Sequence, residues 1–243
     1  MKKYILASGC CLAIIFISLY AVNTIKNKPQ LGQELLAKAI SFDGKFNPDV
    51  DEQFRQLILS AQDLYSPQEF EEFITTEDAD GWNIIMHYAA NGQVKQIVWL
   101  LDLLYKMYGK DQKALFDIVY EKDKYGRSPL YIAVMRKHVR MVDALLKKMQ
   151  EFFGSSPDLF YIYTQSPDDL TKWSPLMLAA YLNEYEIMKT LVKYEVAVFG
   201  QGSERLQRGL RRAYALADAQ GKQIIQRSHN FPEVKGQRHE AAT

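Results

Sequence analysis

The stretch DKYGRSPLYIAVMRKHVRMVDALL, from Asp123 to Leu146, decides the fold. Its first residues predict a turn, in which Gly126 adopts a positive φ without strain. Ser128 is a good helix N-cap, and Pro129 fits the first helical position, where its missing N–H costs nothing. Two runs of apolar residues at helical spacing follow, separated by Arg136 to His138. The stretch therefore predicts a turn, a short helix, a second turn and a second helix.

The same pattern recurs along the chain. DLTKWSPLMLAAYLNEYEIMKTLV aligns on the Ser-Pro step, so that Ser174 follows Ser128 by 46 residues. A looser copy is ADGWNIIMHYAANGQVKQIVWLL, in which we match Ile84, 44 residues before Ser128. This alignment places one extra residue between Gly81 and His87. Three copies at nearly constant spacing indicate a stacked-repeat architecture.

The copies resemble the ankyrin repeat, whose pattern G-x-T-P-L-H-x-A-A is followed by G-H and by I/V-V-x-x-L-L. GRSPLYIAV and MVDALL match this pattern in the second copy, KWSPLMLAA and IMKTLV in the third, and MHYAA in the first. The resemblance covers Asp78–Leu104, Asp123–Met149 and Asp168–Tyr194. It implies an all-α helix-turn-helix solenoid. It also implies structural roles for His87, as the histidine of T-P-L-H, and for His138, at the start of the second helix.

Two inserted segments make these repeats longer than the usual ankyrin unit of about 33 residues. YKMYGKDQKALFDIVYE and KMQEFFGSSPDLFYIYTQS resemble each other and fall between the copies. We expect each to extend the second helix, add a short helical turn and pack back on the stack. Asp123 and Asp169 fit the aspartate that opens the repeat turn.

The chain outside the copies is interpreted as end caps and tails. SPQEF has the letters of a capping box, with Ser66 as cap, Pro67 at the first position and Glu69 three residues on. Phe54, Leu57, Ile58, Ala61 and Leu64 form a stripe at helical spacing. A short repeat stack needs both ends covered. We therefore expect the following order: a signal-anchor helix and linker over 1–29, an N-terminal helical cap over 30–76, the repeats over 77–200, a C-terminal helical cap or degenerate repeat over 201–228 and a disordered tail over 229–243.

Residues 4–22 form an apolar run that follows Lys2 and Lys3. As a helix these 19 residues span roughly 28 Å, enough to cross a bilayer core of about 30 Å. The run favours an uncleaved signal-anchor, with a cleaved signal peptide as the alternative. LASGC, Leu6–Cys10, has lipobox-like letters, but small residues in a membrane helix explain it better. The two lysines favour a cytoplasmic N-terminus, with the domain outside the cytoplasm.

The composition and the absence of common catalytic motifs exclude several classes of function. A formal net charge of +1 lacks the basic excess that is typical of nucleic-acid binding. Both cysteines lie at positions 10 and 11, which excludes a thiolate zinc site or a cysteine nucleophile in the folded part. The sequence has no P-loop, no G-x-G-x-x-G after a strand and no H-E-x-x-H. We expect no catalytic residue, no metal and no cofactor.

In ankyrin-like units the positions that touch a partner are the turn tip and the exposed side of the first helix. The resemblance therefore implies a protein-binding surface, with Asn83 also close to it in the first copy. Its candidate residues are Trp82, Asn91, Tyr125, Arg127, Met135, Arg136, Trp173, Tyr181 and Leu182.

These patterns predict a non-catalytic protein-protein interaction module, or scaffold, tethered to a membrane. We expect a single-pass protein of a bacterial inner membrane. The alternative is an exported bacterial factor that binds a host protein and uses its N-terminus as a signal peptide. A third hypothesis, an enzyme with a site in residues 30–76 or in the C-terminal segment, is less favoured.

Overall fold

The computed structural model describes residues 48–229, which form twelve α-helices and no strand. The predicted all-α class is confirmed. In chain order the helices are α1 Pro48–Leu64, α2 Pro67–Ile74, α3 Ile84–Asn91, α4 Val94–Tyr108, α5 Gln112–Tyr120, α6 Pro129–Met135, α7 Val139–Phe153, α8 Pro157–Gln165, α9 Pro175–Tyr181, α10 Tyr185–Phe199, α11 Glu204–Leu216 and α12 Ala219–His229.

The helices stack in rows. The first helix of each pair packs against the next one along the stack, in the order α3, α6, α9 and α11. The second helices α4, α7, α10 and α12 form another row behind them. One hydrophobic core runs through the stack, from Phe54 in α1 to Ile225 in α12. Leu130 and Leu145 of the second copy and Leu176 of the third lie inside it. The repeated units therefore form a single continuous body.

A polar N-cap starts each of the three first helices that lie in the recognised copies. The side chains of Asn83, Ser128 and Ser174 accept hydrogen bonds from the backbone N–H three residues on, at 3.0, 3.3 and 3.4 Å. Proline follows the cap in the second and third copies. The caps satisfy backbone donors that the first turn of a helix leaves unpaired.

The first copy has a different register from the one expected. Its first helix begins ten residues before its second, at Ile84 and Val94, as in the other two copies. Asn83 is therefore the equivalent of Ser128, and our match on Ile84, with its extra residue, is wrong by one position. The histidine position of T-P-L-H is accordingly filled by Met86 and not by His87. The error arose because asparagine caps a helix as well as serine does.

The turn of the third copy contains the extra residue instead. The backbone N–H of Asp168 donates to the carbonyl of Trp173, five residues on, whereas Asp123 donates to Arg127, four residues on. Asp168 is buried and holds the turn, and Asp169 is exposed. The expectation that Asp169 opens this turn is therefore wrong, because the longer loop moves the holding carboxylate one residue earlier.

The inserted segments form separate helices, α5 and α8, behind second helices of 15 residues each. The hydroxyl of Ser156, the N-cap of α8, donates to the Gln112 side chain at the start of α5, at 2.7 Å. The rings of Tyr120 and Tyr163 also meet, with centroids 6.2 Å apart. The two insertions thus stack on each other as well as on the repeats, which goes beyond the short helical turn that we expected.

Helices α1 and α2 lie against the first repeat. Ser66 and Glu69 form the predicted capping box, with bonds of 3.3 and 3.0 Å. The Tyr108 hydroxyl donates to the carbonyl of Pro67 at 2.6 Å. The apolar stripe of α1 is confirmed at its buried residues Phe54, Ile58 and Ala61, with Leu57 half-buried, but Leu64 is exposed.

At the other end, α11 packs on α9 and α12 packs on α10, so this pair continues the two rows.

Among residues 48–229, no helix is both long and apolar enough to cross a membrane. His229, predicted as the first residue of the disordered tail over 229–243, is the last residue of α12. The rest of that tail and the predicted signal-anchor, residues 4–22, lie outside the described residues.

Candidate partner-binding surface

Each repeat turn is built around one aspartate. The Asp78 carboxylate accepts from the backbone N–H of Asp80 and Trp82, at 2.8 and 2.9 Å. Asp123 accepts in the same way from the second and fourth residues after it, both at 2.9 Å. Gly126 has a φ of +74°, and a Cβ at this position would lie 2.4 Å from the Asp169 carboxyl carbon. The positive φ therefore favours glycine there, and the exposed Asp169 carboxylate would have to shift to admit a Cβ.

Neighbouring turns are also tied to one another. The Lys124 ammonium contacts the Asp80 carboxylate at 2.5 Å, and this hydrogen bond holds the pKa of Asp80 below its usual range. The backbone N–H of Asp169 donates to the carbonyl of Tyr125 at 2.8 Å. The row of turns is therefore a connected edge of the stack.

Two equivalent positions in each repeat lie side by side at this edge. They are the residue before the N-cap and the seventh residue of the first helix. In the second repeat an Arg127 nitrogen lies 3.7 Å from the Met135 sulfur, and in the third the ring centroids of Trp173 and Tyr181 are 4.7 Å apart. In the first repeat the same two positions are occupied by Trp82 and Ala90. We call these six residues the tip strip: Trp82, Ala90, Arg127, Met135, Trp173 and Tyr181.

Arg127 is the central member of the tip strip and is held on several sides. Its guanidinium pairs with Asp123 at 2.6 Å and lies over the rings of Tyr125 and Trp82, 4.6 and 5.7 Å from their centroids. Its side chain is 18% exposed. The charge is therefore largely satisfied within the protein, and Arg127 joins the first two repeats while offering a partner only a small area.

Exposure along the edge is greatest in the third repeat. Tyr181 is 57% exposed, and Leu170, in the lengthened turn, is 73% exposed. Arg136 is also exposed, and the remaining sequence-predicted residues are half-buried: Trp82, Asn91, Tyr125, Arg127, Met135, Trp173 and Leu182. The structure thus brings the predicted residues to one edge and leaves all of them at least partly accessible.

One residue placed close to the surface from the sequence lies inside the protein, and one exposed residue of the edge was not predicted. Asn83 is fully buried, caps α3 and donates to the Glu121 carboxylate at 2.6 Å, so it does not contribute to the surface. Leu170 was not predicted, although an apolar residue between Asp169 and Thr171 in a polar turn was a usable signal.

The two histidines in this region join parts of the stack. The Nε2 atom of His87 lies 2.9 Å from the Asp78 carboxylate in the turn of the same repeat. Burial lowers the pKa of His87, and Asp78 opposes this effect. His138 Nε2 lies 2.9 Å from the carbonyl of Ala90 in the preceding repeat. In the described part of the chain, no group of three or more metal-ligating side chains occurs.

Comparison with known proteins agrees with this geometry. A family model described as ankyrin repeats (3 copies) matches residues 19–158 and 100–200. The chain belongs to the ankyrin repeat family. No curated protein matches it. Ankyrin repeats are a non-enzymatic interaction fold that typically binds other proteins, so family membership indicates a protein-protein interaction module.

Proposed function

We propose that this ankyrin stack acts without catalysis and binds another protein through its tip strip, together with Leu170. The observation that carries the proposal is the Trp173–Tyr181 pair, in which a half-buried indole contacts a phenol ring that is 57% exposed. Tryptophan and tyrosine dominate binding energy at interfaces because they bury large areas and lose little side-chain entropy. The third repeat is therefore the centre of the proposed interface.

The fixed turns support this mechanism. Aspartate-held loops and cross-links between repeats, such as Lys124 to Asp80, order the edge before a partner arrives. A surface that is already ordered loses less conformational entropy on binding. The extension from repeat to repeat also allows a partner to contact several turns at once.

Two negative expectations belong to the same proposal. We propose that the chain is not an enzyme, which is supported by the structural roles of His87 and His138. We also propose that nucleic acid is not its ligand, which is supported by a net charge of +1.

We further propose that residues 4–22 tether the module to a membrane, in a bacterial inner membrane with the repeats outside the cytoplasm. The support is the 19-residue apolar run that follows Lys2 and Lys3. Fractionation with N-terminal sequencing of the mature protein tests this. An intact N-terminus in the membrane fraction is expected, and a cleaved protein in the medium would favour export.

The tip strip is tested with a partner found by proximity labelling around the full chain in its native cell. Trp173→Ala combined with Tyr181→Ala should abolish pull-down of that partner while the domain stays folded, with a lower thermal melt because the half-buried indole packs against the core. Ile162→Ala is the matched control, because it removes an apolar side chain that is 43% exposed on the inserted helix α8. Pull-down that survives in the double variant would exclude this surface, and a circular dichroism spectrum at the assay temperature shows that the variant is folded.

A further inference from the structure

A groove of about 550 Å³ lies on the second-helix row, away from the tip strip. It is bounded by α4, α7 and α10, which pack side by side. Its apolar part consists of Val94 and Val98 on α4 and Val139 and Ala144 on α7. We call this feature the outer groove. Val139 is 38% exposed, so part of the apolar surface meets solvent.

The outer groove exists because one repeat has a small residue where its neighbours have larger ones. Ala144 is the sixth residue of α7, and the sixth residues of α4 and α10 are Trp99 and Thr190. The Trp99 ring is partly buried and covered by the Arg55 guanidinium, 5.1 Å from its centroid. The second repeat thus lacks the bulk that fills the same position in the first.

Unpaired positive charge lines the same groove. Arg140 and Lys147 are exposed, and neither makes an ion pair with any residue in 48–229. Lys148 differs, because its ammonium is paired with Asp102 at 2.8 Å and with Glu151 at 2.7 Å. The one acid in the lining, Asp143, accepts a hydrogen bond from the Tyr194 hydroxyl at 3.2 Å.

We propose that the outer groove binds an acidic amphipathic helix of a partner protein. Arg140 and Lys147 are seven residues apart on α7, which is about 10.5 Å along a helix axis. Acidic residues seven apart on a docked helix have the same spacing. The apolar residues between them, at the third and fourth positions, then lie over the middle of the groove, beside Ala144 on α7 and Val98 on α4. Charge sets the register, and burial of the valines supplies the affinity.

A protein helix fits these features better than a membrane surface does. The groove is concave, and its valines and Ala144 lie beside two unpaired cations, with the exposed carboxylate of Asp143 between those cations on α7. Electrostatic membrane binding typically uses clusters of about 4–8 Lys or Arg residues. Two unpaired cations fall short of such a cluster. Anionic vesicles therefore serve as a competing probe in the test.

The test is selection from a phage-displayed library of helix-forming peptides, each about four turns long so that it is stable when bound. The full chain is the target, and the Arg140→Glu/Lys147→Glu variant is used for counter-selection. We expect enriched peptides with acidic residues seven apart around an apolar pair. Their Kd should rise roughly tenfold or more with the charge-reversed variant, and less with Arg140→Gln/Lys147→Gln.

Two single substitutions test the shape of the groove. Ala144→Trp copies Trp99 of the first repeat, so it should fold normally, fill the groove and abolish peptide binding. Ala144→Ser is the matched control and should bind as the native chain does. Circular dichroism melts of all variants confirm that they are folded.

Several results would overturn the proposal. They are no enrichment, enriched peptides that bind the charge-reversed variant equally well, and binding of anionic vesicles that depends on Arg140 and Lys147. The proposed function is tested separately, since Trp173→Ala/Tyr181→Ala should leave the peptide Kd unchanged. Failure of the outer groove and failure of the tip strip are therefore distinguishable.

Discussion

The indole N–H of Trp82 donates a hydrogen bond of 3.0 Å to the carboxylate of Asp123, 41 residues later. Asp123 is 6% exposed and holds the turn of the second repeat. The same carboxylate also accepts from the Arg127 guanidinium at 2.7 Å. One nearly buried acid therefore fixes its own turn and joins the first repeat to the second.

Trp82→Phe removes this bond and keeps an aromatic ring. We expect a loss of about 1–2 kcal/mol in the free energy of unfolding, because hydrogen bonds to charged groups contribute about 1.5–3 kcal/mol and Asp123 keeps its other donors. Urea unfolding measures the change. Trp173→Phe is the control, since its indole donates no hydrogen bond within residues 48–229. Equal stability of the two variants would contradict the role of the bond.

Leu176→Ala tests the repeat core. Leu176 is fully buried at the start of α9, so its truncation should cost about 2–5 kcal/mol of unfolding free energy. Leu170→Ala, six residues earlier and 73% exposed, should cost less than about 0.5 kcal/mol. Denaturant melts of both variants give the comparison. A loss below about 0.5 kcal/mol for Leu176→Ala would mean that the register assigned to the third repeat is wrong.

Because Glu195 is buried, we expect the free energy of unfolding to depend on pH. Its side chain is fully buried in α10, and the Gln165 amide donates to one carboxyl oxygen at 2.6 Å. The second oxygen has no hydrogen-bond partner among the described residues. Burial raises the pKa of Glu195 to about 8. The folded state therefore favours the neutral acid.

Because the folded pKa is raised, the contribution of Glu195 is fully present below its unfolded pKa, near 4.5, and is lost as the pH rises to about 8. Half-buried Glu121, whose pKa is raised to about 7, loses its contribution earlier. Glu195→Gln stays neutral, so it should exceed the native chain in stability by roughly 3–5 kcal/mol above pH 8 and match it near pH 4. Urea unfolding from pH 4 to 9 measures this. Parallel profiles for the two proteins would show that Glu195 does not titrate in this way.

The turn between the two helices of a repeat offers a stabilising change. Lys137 has a φ of +61°, and Gly92, at the equivalent position of the first repeat, has a φ of +67°. Lys137→Gly should stabilise the protein by about 0.5–1 kcal/mol, since only glycine adopts this conformation freely. The lost ion pair with Glu184 contributes little, because its lysine side chain is 56% exposed to solvent.

Gly92→Ala should have the opposite effect. The new Cβ would sit at a positive φ and 3.2 Å from the His138 ring. A loss of about 1–2 kcal/mol is expected. Thermal melts compare this variant with Lys137→Gly, and a shift in the same direction for both would contradict the assignment of this turn.

Much of the fold was predictable because its signals are local. Ser128-Pro129, Ser174-Pro175 and the capping box at Ser66 act within three or four residues, and the structure keeps all of them. The first repeat was misaligned by one position for two reasons. Asparagine replaces serine at the N-cap of its first helix, and the two isoleucines that follow give no proline to mark where the helix begins. The edge on which the tip strip lies was predictable from the resemblance, but Leu170 and the burial of Asn83 were not.

The sequence alone determined the unit: a turn, a short capped helix and a longer amphipathic helix, written three times. Those features follow from backbone capping and helical periodicity, which depend on neighbours within a turn or two. Only the tertiary structure decided how the units meet. The bond from the Trp82 indole to the Asp123 carboxylate joins groups 41 residues apart. The bond from the His138 ring to the Ala90 carbonyl and the outer groove beside Ala144 also bring together groups of different repeats. Such contacts depend on the exact register of stacking, and no local pattern encodes that register.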